Sequence, residues 1–306
     1  TIVTEKAKNE KLIIVVSALS KVTDLLQLAS QKAASNDESY KEIVTEIEKK
    51  HLDTLKELIP VSEQSSLLSH LKRIVNHLET LLDGCFLLGE LSPRTSDTIL
   101  SFGELLSSYI IAEALKQHLK NSAYKDSREL IKTNNNFGKA AVNFEVSNQL
   151  ISNFVATNES QVVIMPGFIA SSLDGINTTL GRGGSDYTAA IIAAAVEATD
   201  LEIWTDVNGM FTANPKIVKQ AQPIATISYQ EAMELSHFGA KVLYPPTIQP
   251  VLAKNIPVWI KNTFAASDHG TVIENKPDST NIITGISSIN SLALLSLEGS
   301  GMIGIP

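Results

Sequence analysis

The chain has 306 residues, 43% hydrophobic and 19% charged, with a formal net charge of −8. At ~150 residues per domain this allows about two domains, or one large α/β domain with an appendage, and the apolar fraction excludes a disordered chain. Scattered lysines and arginines exclude a nucleic-acid surface or a polybasic membrane surface, and the single cysteine, Cys85, excludes an intramolecular disulfide or a cysteine zinc site.

In chain order, residues 11–17 (Lys-Leu-Ile-Ile-Val-Val-Ser) form an unbroken β-branched run, the pattern of a parallel strand buried on both faces. A polar turn with Ser17, Ser20, Lys21 and Thr23 follows, then a long helical region. In that region Leu67, Leu68, Leu71, Ile74, Val75, Leu78, Leu81 and Leu82 recur at helical spacing. Ser92-Pro93 reads as the cap and first position of a next helix carrying Ile99, Leu100, Leu105, Leu106, Ile110 and Ile111. Residues 161–165 predict a strand ending at Pro166-Gly167-Phe168, 171–184 a polar loop, and 185–198 a helix. Strands at 201–207 and 256–261 flank a helix at 228–238. Alternating β and α elements predict a mostly parallel sheet covered by helices on both faces. Residues 274–284 read as a polar linker, followed by an apolar strand at 292–297. No leader, no apolar run of ~18 residues and no metal-type histidine spacing is read, so the expected setting is cytoplasmic, with no nucleic-acid or membrane partner.

The densest chemistry lies in Thr178-Thr-Leu-Gly-Arg-Gly-Gly-Ser-Asp-Tyr-Thr-Ala-Ala190. Glycines let backbone amides approach a ligand, and a helix start favours anions. Arg182 adds a fork for a carboxylate or phosphate, and Asp186 falls in the first helical turn. The alternative is a tight turn capped by Ser185. Ser17, Phe168, Thr205-Asp206 and Asn262 all fall at or just past strand ends, where open α/β sheets bind ligands. That clustering favours a binding loop.

These residues resemble a known family. The glycine-rich stretch, Ser101-Phe-Gly-Glu104, Trp204-Thr-Asp-Val207, and Tyr229-Gln-Glu-Ala-Met-Glu-Leu-Ser-His-Phe-Gly-Ala-Lys-Val-Leu-Tyr244 are similar to aspartate kinases. They most resemble the kinase half of bifunctional aspartokinase–homoserine dehydrogenases. Asp126-Ser-Arg-Glu129, Asn136-Phe-Gly-Lys-Ala140 and Ile260-Lys-Asn-Thr263 agree. The resemblance implies the amino-acid kinase fold, a three-layer αβα sandwich, over residues 1–273. It implies a linker at 274–284 and the truncated start of an ACT-type regulatory region at 285–306. It also implies transfer of the ATP γ-phosphoryl group to the side-chain carboxylate of L-aspartate, toward lysine, threonine and methionine. Nucleotide-bound Mg²⁺ and a homodimer of the full-length form are implied with it.

The resemblance also implies residue roles. Lys241 and Asp186 would be catalytic, with Lys241 on the nucleotide phosphates. Arg182 would pair with the substrate α-carboxylate and Glu104 with its ammonium. Ser17, Thr23, Phe168 and Gly183 would complete the substrate site. Thr205, Asp206, Phe211, Asn214 and Lys216 would bind nucleotide. A carboxylate nucleophile is ionised at neutral pH, so donors and positive charge matter more than a general base. Plain alternatives stand beside these roles: a solvated Lys241, an Arg182–Asp186 ion pair, an exposed Glu104, capping hydroxyls, and Phe211 and Trp204 as core aromatics.

Three departures are legible. The family's opening Lys-Phe-Gly-Gly-Thr-Ser strand does not occur in these residues, Asn214-Pro215-Lys216 replaces Asp-Pro-Arg, and Gly175-Ile-Asn-Thr-Thr179 replaces Gly-Arg-Thr-Thr-Thr. The rival functions are an amino-acid kinase acting on glutamate or a nucleoside monophosphate, and a catalytically incomplete fragment that binds nucleotide or regulates.

Overall fold

The computed structural model describes residues 1–237, 243–275 and 283–289. Lys241, the expected strand at 292–297 and most of the expected linker and regulatory start lie outside the described residues.

Helix α1 (Ile2–Lys6) leads into β1 (Leu12–Val16), followed by five helices: α2 (Val22–Ala34), α3 (Tyr40–Leu58), α4 (Gln64–Leu88), α5 (Pro93–Leu100) and α6 (Phe102–Lys116). Then come β2 (Ser122–Tyr124), β3 (Lys132–Thr133), α7 (Phe144–Thr157), β4 (Val162–Pro166), β5 (Ile169–Ser172), β6 (Asn177–Thr179) and α8 (Gly184–Ala195). The last part holds β7 (Leu201–Thr205), β8 (Thr226–Ser228), α9 (Tyr229–His237), α10 (Gln249–Leu252), β9 (Val258–Asn262) and β10 (Thr271–Glu274).

Strand β4 sets the layering. It is the centre of the sheet β1-β4-β2, parallel to both neighbours, and every residue in it is buried. Its alternate side chains enter different cores, as strand geometry requires. Val162 and Ile164 pack with Ala112 of α6, while Val163 and Met165 pack with Ile151 of α7 and Ile191 and Ile192 of α8. Helices therefore cover both faces, giving helix, sheet, helix. Among the described residues, parallel ladders join β1–β4, β2–β4, β3–β5, β7–β9 and β8–β10, and only the β5–β6 and β9–β10 ladders are antiparallel. The expected mostly parallel α/β sandwich is borne out.

Helix α8 is apolar all round because it serves two cores. Ile191 and Ile192 face the β4 side, and Ala190 and Ala193 face the sheet β7-β9-β10-β8. A further core lies among α2–α6, where Leu71, Val75, Leu78 and Leu82 of the predicted leucine stripe are buried.

Several local expectations change. Strand β1 is half-buried at every position rather than buried on both faces, because among the described residues it is a sheet edge. The helix expected from Ser92 is two helices. Ser92 Oγ caps it as predicted, accepting from Thr95 N at 3.1 Å, but the run breaks at Ser101, whose hydroxyl donates to the Thr98 carbonyl at 2.6 Å. Such local bonding competes with the helical ladder. The expected loop at 171–184 contains β6 and the end of β5, paired as a hairpin. Its polar residues conceal the strands because their hydroxyls find partners across the fold: Thr178 Oγ1 and Thr133 Oγ1 lie 2.7 Å apart. Finally, Pro93–Lys116 is apolar enough by length and composition to cross a membrane, which the sequence reading did not register. Here more than half of its most apolar window is buried within the protein, where α5 and α6 form part of the helical core.

Candidate active site

The carboxyl ends of β1 and β4 and the amino end of α8 converge on a cavity of about 710 Å³. It brings together Ser17, Thr23, Glu104, Phe168, Arg182, Gly183 and Asp186. These residues span the chain, and all were singled out from sequence.

The glycine-rich turn is built by backbone conformation. Gly183 caps α8 in the left-handed region, φ 69°, and no side chain caps the helix, so the Ser185 cap of the alternative reading is not formed. Gly184 packs against Phe168, where a Cβ would lie 2.6 Å from Phe168 Cδ2. Phe168 itself sits at φ 64°, a strained region for a large side chain. It is held there by its N–H donating to Thr188 Oγ1 at 3.0 Å and its carbonyl accepting from Leu180 N at 2.9 Å. The result presents the α8 N-terminus, with Ser185 and Asp186, to the cavity.

Glu104 lies in the first turn of α6 and is 3% exposed, which removes its reading as an exposed helix residue. Its Oε1 accepts from Ala18 N at 3.2 Å, whereas its buried Oε2 has no hydrogen-bond partner among the described residues. Burial pushes its carboxyl up to about 7, opposed by the Ala18 amide. Burial likewise pushes Asp186 up to about 6. No ion pair joins Arg182 to Asp186 among the described residues. The exposed Arg182 guanidinium instead stacks over the Tyr244 ring at 5.6 Å. Glu104 and Asp186, both with raised pKa, therefore border one cavity with Arg182, a frequent mark of a functional site.

The turn after β1 is anchored from behind. Ser107 Oγ donates to the Ser17 carbonyl at 2.7 Å, and Lys50 Nζ donates to the Ser20 carbonyl.

Sequence reading missed Asp97. It is 1% exposed, and its carboxylate accepts from Gly138 N and Thr179 N, each at 2.9 Å, and from Thr179 Oγ1 at 2.9 Å. These bonds tie α5 to the 137–138 turn and to β6, both on the cavity wall. Burial raises its pKa and the hydrogen bonds oppose that shift. Its helix also carries Arg94, Thr95, Ser96 and Thr98, so the sequence marks it only as one more polar residue.

Thr205, Asp206, Phe211, Asn214 and Lys216, expected to bind nucleotide, do not line this cavity. Thr205 ends β7 beside Asn262 of β9, and Thr263 N donates to the Thr205 carbonyl at 2.8 Å. Thr205 Oγ1 donates to Asp206 Oδ1 at 3.3 Å. Phe211 is half-buried and bridges to Pro223, while Asn214 and the exposed Lys216 share a turn in which Asn214 Oδ1 accepts from Lys216 N at 3.0 Å. Trp204 is half-buried, with Lys261 Nζ over its ring at 5.4 Å.

A three-layer, mostly parallel sandwich with an anion-favouring helix start at its strand ends is an α/β fold suited to an anionic ligand. The amino acid kinase family matches residues 1–262, and the chain belongs to it. Within that family, the chain is 37% identical over 305 residues to the bifunctional aspartokinase/homoserine dehydrogenase 2, chloroplastic, of Arabidopsis thaliana, a match covering 97% of this chain and 33% of the relative. It is 35% identical over 236 residues to lysine-sensitive aspartokinase 3 of Escherichia coli K12, covering 75% of this chain and 53% of the relative. The crystal structure of E. coli aspartokinase III in complex with aspartate and ADP aligns with a TM-score of 0.81 at 31% identity, covering 90% of this chain and 61% of that one. The chain thus spans about a third to a half of the length of these two sequence relatives.

Proposed function

We propose that this chain catalyses transfer of the ATP γ-phosphoryl group to the side-chain carboxylate of L-aspartate, giving 4-phospho-L-aspartate. The observation that carries the reading is the pairing of opposite charges across one cavity. Glu104 offers a buried carboxylate with an unpartnered oxygen, and Arg182 stands beside the α8 N-terminus. A compact dicarboxylic amino acid matches both, with its ammonium on Glu104 and its α-carboxylate on Arg182. Ammonium binding would draw Glu104 into its ionised form and supply the missing partner. Its relatives, aspartokinases by name, support the same substrate.

The reaction joins two anions, so this chain's part is to orient and to offset charge. Ser17 and Thr23 hydroxyls and the amides around Gly183 would hold the reacting groups. Thr205, Asp206, Phe211, Asn214 and Lys216 would hold the nucleotide, and Asp186, whose carboxylate has no hydrogen bond among the described residues, would hold a cation such as the Lys241 ammonium. Mg²⁺, arriving on the nucleotide, would reduce the phosphate charge. The domain division into 1–273, 274–284 and 285–306, a cytoplasmic homodimer of the full-length form and a first step toward lysine, threonine and methionine belong to the same proposal.

Trapping the acyl phosphate with hydroxylamine tests it. Aspartate-dependent hydroxamate from ATP and Mg²⁺ is expected. Nucleotide turnover with glutamate or a nucleoside monophosphate, and none with aspartate, would refute it.

A further inference from the structure

A second cavity, of about 450 Å³, follows a different face of α5 and α6 and shares no lining residue with the first. Its uncommitted charge is cationic. Helix α4 sets His70, Arg73 and His77 along its wall at helical spacing. Arg73 Nη2 lies 3.0 Å from His70 Nδ1, and among the described residues the exposed guanidinium has no other side-chain hydrogen-bond partner.

The one carboxylate among the described lining residues, Asp126, is already engaged. Arg128 Nε donates to its two oxygens at 3.0 and 3.1 Å, and Arg128 Nη1 reaches Asn177 Oδ1 at 3.1 Å. Burial pushes the Tyr109 and Tyr124 hydroxyls up to about 12, so both remain neutral donors. Rings complete the wall: His70 lies 4.5 Å from Tyr109, and His77 lies 5.4 Å from Phe102. In a chain of net charge −8, a cavity whose free charge is positive favours anions.

The two cavities meet at the joint between α5 and α6. Thr98 and Ser101, joined by the hydroxyl-to-carbonyl bond at that joint, line the second cavity. Asp97 and Glu104, on the adjoining face, line the first. A ligand that contacts the joint more favourably in one arrangement than another shifts the position of Glu104.

We propose that the second cavity binds a small anion, a carboxylate or a phosphate, on Arg73, and that its occupancy changes aspartate affinity through the α5–α6 joint. The coupling rests on the proposed function; the anion site does not.

The test is calorimetric titration of the chain with inorganic phosphate and, separately, benzoate, at constant ionic strength. Arg73→Ala and Arg182→Ala are titrated in parallel, because the α8 N-terminus also attracts anions. Saturable binding should persist in Arg182→Ala and weaken about tenfold or more in Arg73→Ala. The probe that binds identifies the headgroup. With that probe saturating, aspartate affinity should shift about fivefold or more in the parent chain and stay unchanged in Arg73→Ala. Binding lost in Arg182→Ala but kept in Arg73→Ala, no saturable binding of either probe, or binding without a shift in aspartate affinity would overturn the proposal. If aspartate itself does not bind, the proposed function fails, and the Arg73 comparison still decides the anion site.

Discussion

The Ala18 amide donates to Glu104 Oε1 at 3.2 Å, joining positions 86 residues apart. This bond fastens the turn after β1 to the first turn of α6 and orients a carboxylate that is otherwise starved of partners. Gly103 permits the approach, since a Cβ there would lie 2.8 Å from Ala18 Cβ.

Glu104→Gln should separate stability from binding. In the folded chain burial raises this carboxyl from 4.5 to about 7, so the folded state holds the proton more tightly than the unfolded state between those values. Stability from this group is complete below about pH 4.5 and falls as pH rises through about 7. Glutamine removes that slope. At pH 8 the variant should be more stable than the parent by as much as about 3 kcal/mol, while aspartate affinity collapses. Urea unfolding at pH 5 and pH 8 decides it: an equal difference at both pH values would contradict the buried-carboxyl account.

Asp97→Ala should destabilise the fold by about 3 kcal/mol or more, because two backbone amides and a hydroxyl lose their acceptor in the interior. Asp97→Asn should cost less, since the amide oxygen still accepts. Similar unfolding midpoints for the parent and Asp97→Ala would show that the bonds to Gly138 and Thr179 are dispensable.

Gly184→Ala should displace Phe168, because the new Cβ would lie 2.6 Å from its ring and 3.1 Å from its Cα. A cost of about 1–3 kcal/mol is expected, with weaker substrate binding. An unchanged melting temperature would mean that the turn relaxes freely.

Arg182→Ala should raise the aspartate KM about tenfold to a hundredfold through loss of a charge-assisted pair, with little change for ATP. Equal changes for both substrates would remove the α-carboxylate assignment.

Lys216→Ala should show the reverse pattern, weakening binding of a non-hydrolysable ATP analogue while sparing aspartate. Unchanged nucleotide affinity would make Lys216 an ordinary surface lysine, consistent with its exposure.

Sequence alone determined the elements with strong local signals. The leucine stripe of α4, the Ser92 cap of α5 and the apolar run of β4 were legible because hydrophobic period and capping are short-range properties. The glycine-rich turn was legible because few other residues suit such backbone, and its motif carried the candidate site with it. What only the tertiary structure decided depends on partners distant in the chain. Strands β5 and β6 were hidden because their polar side chains are satisfied by remote groups such as Thr133 and Asp97. The break at Ser101 is made by one hydroxyl turning to a nearby carbonyl, which no period records. Asp97 looked like any helical acid until its acceptors met Gly138 and Thr179, and Glu104 gained its raised pKa only when other elements packed around it and excluded water. Burial and long-range hydrogen bonding belong to the folded chain, so the residue types could suggest the chemistry but not the environment that tunes it.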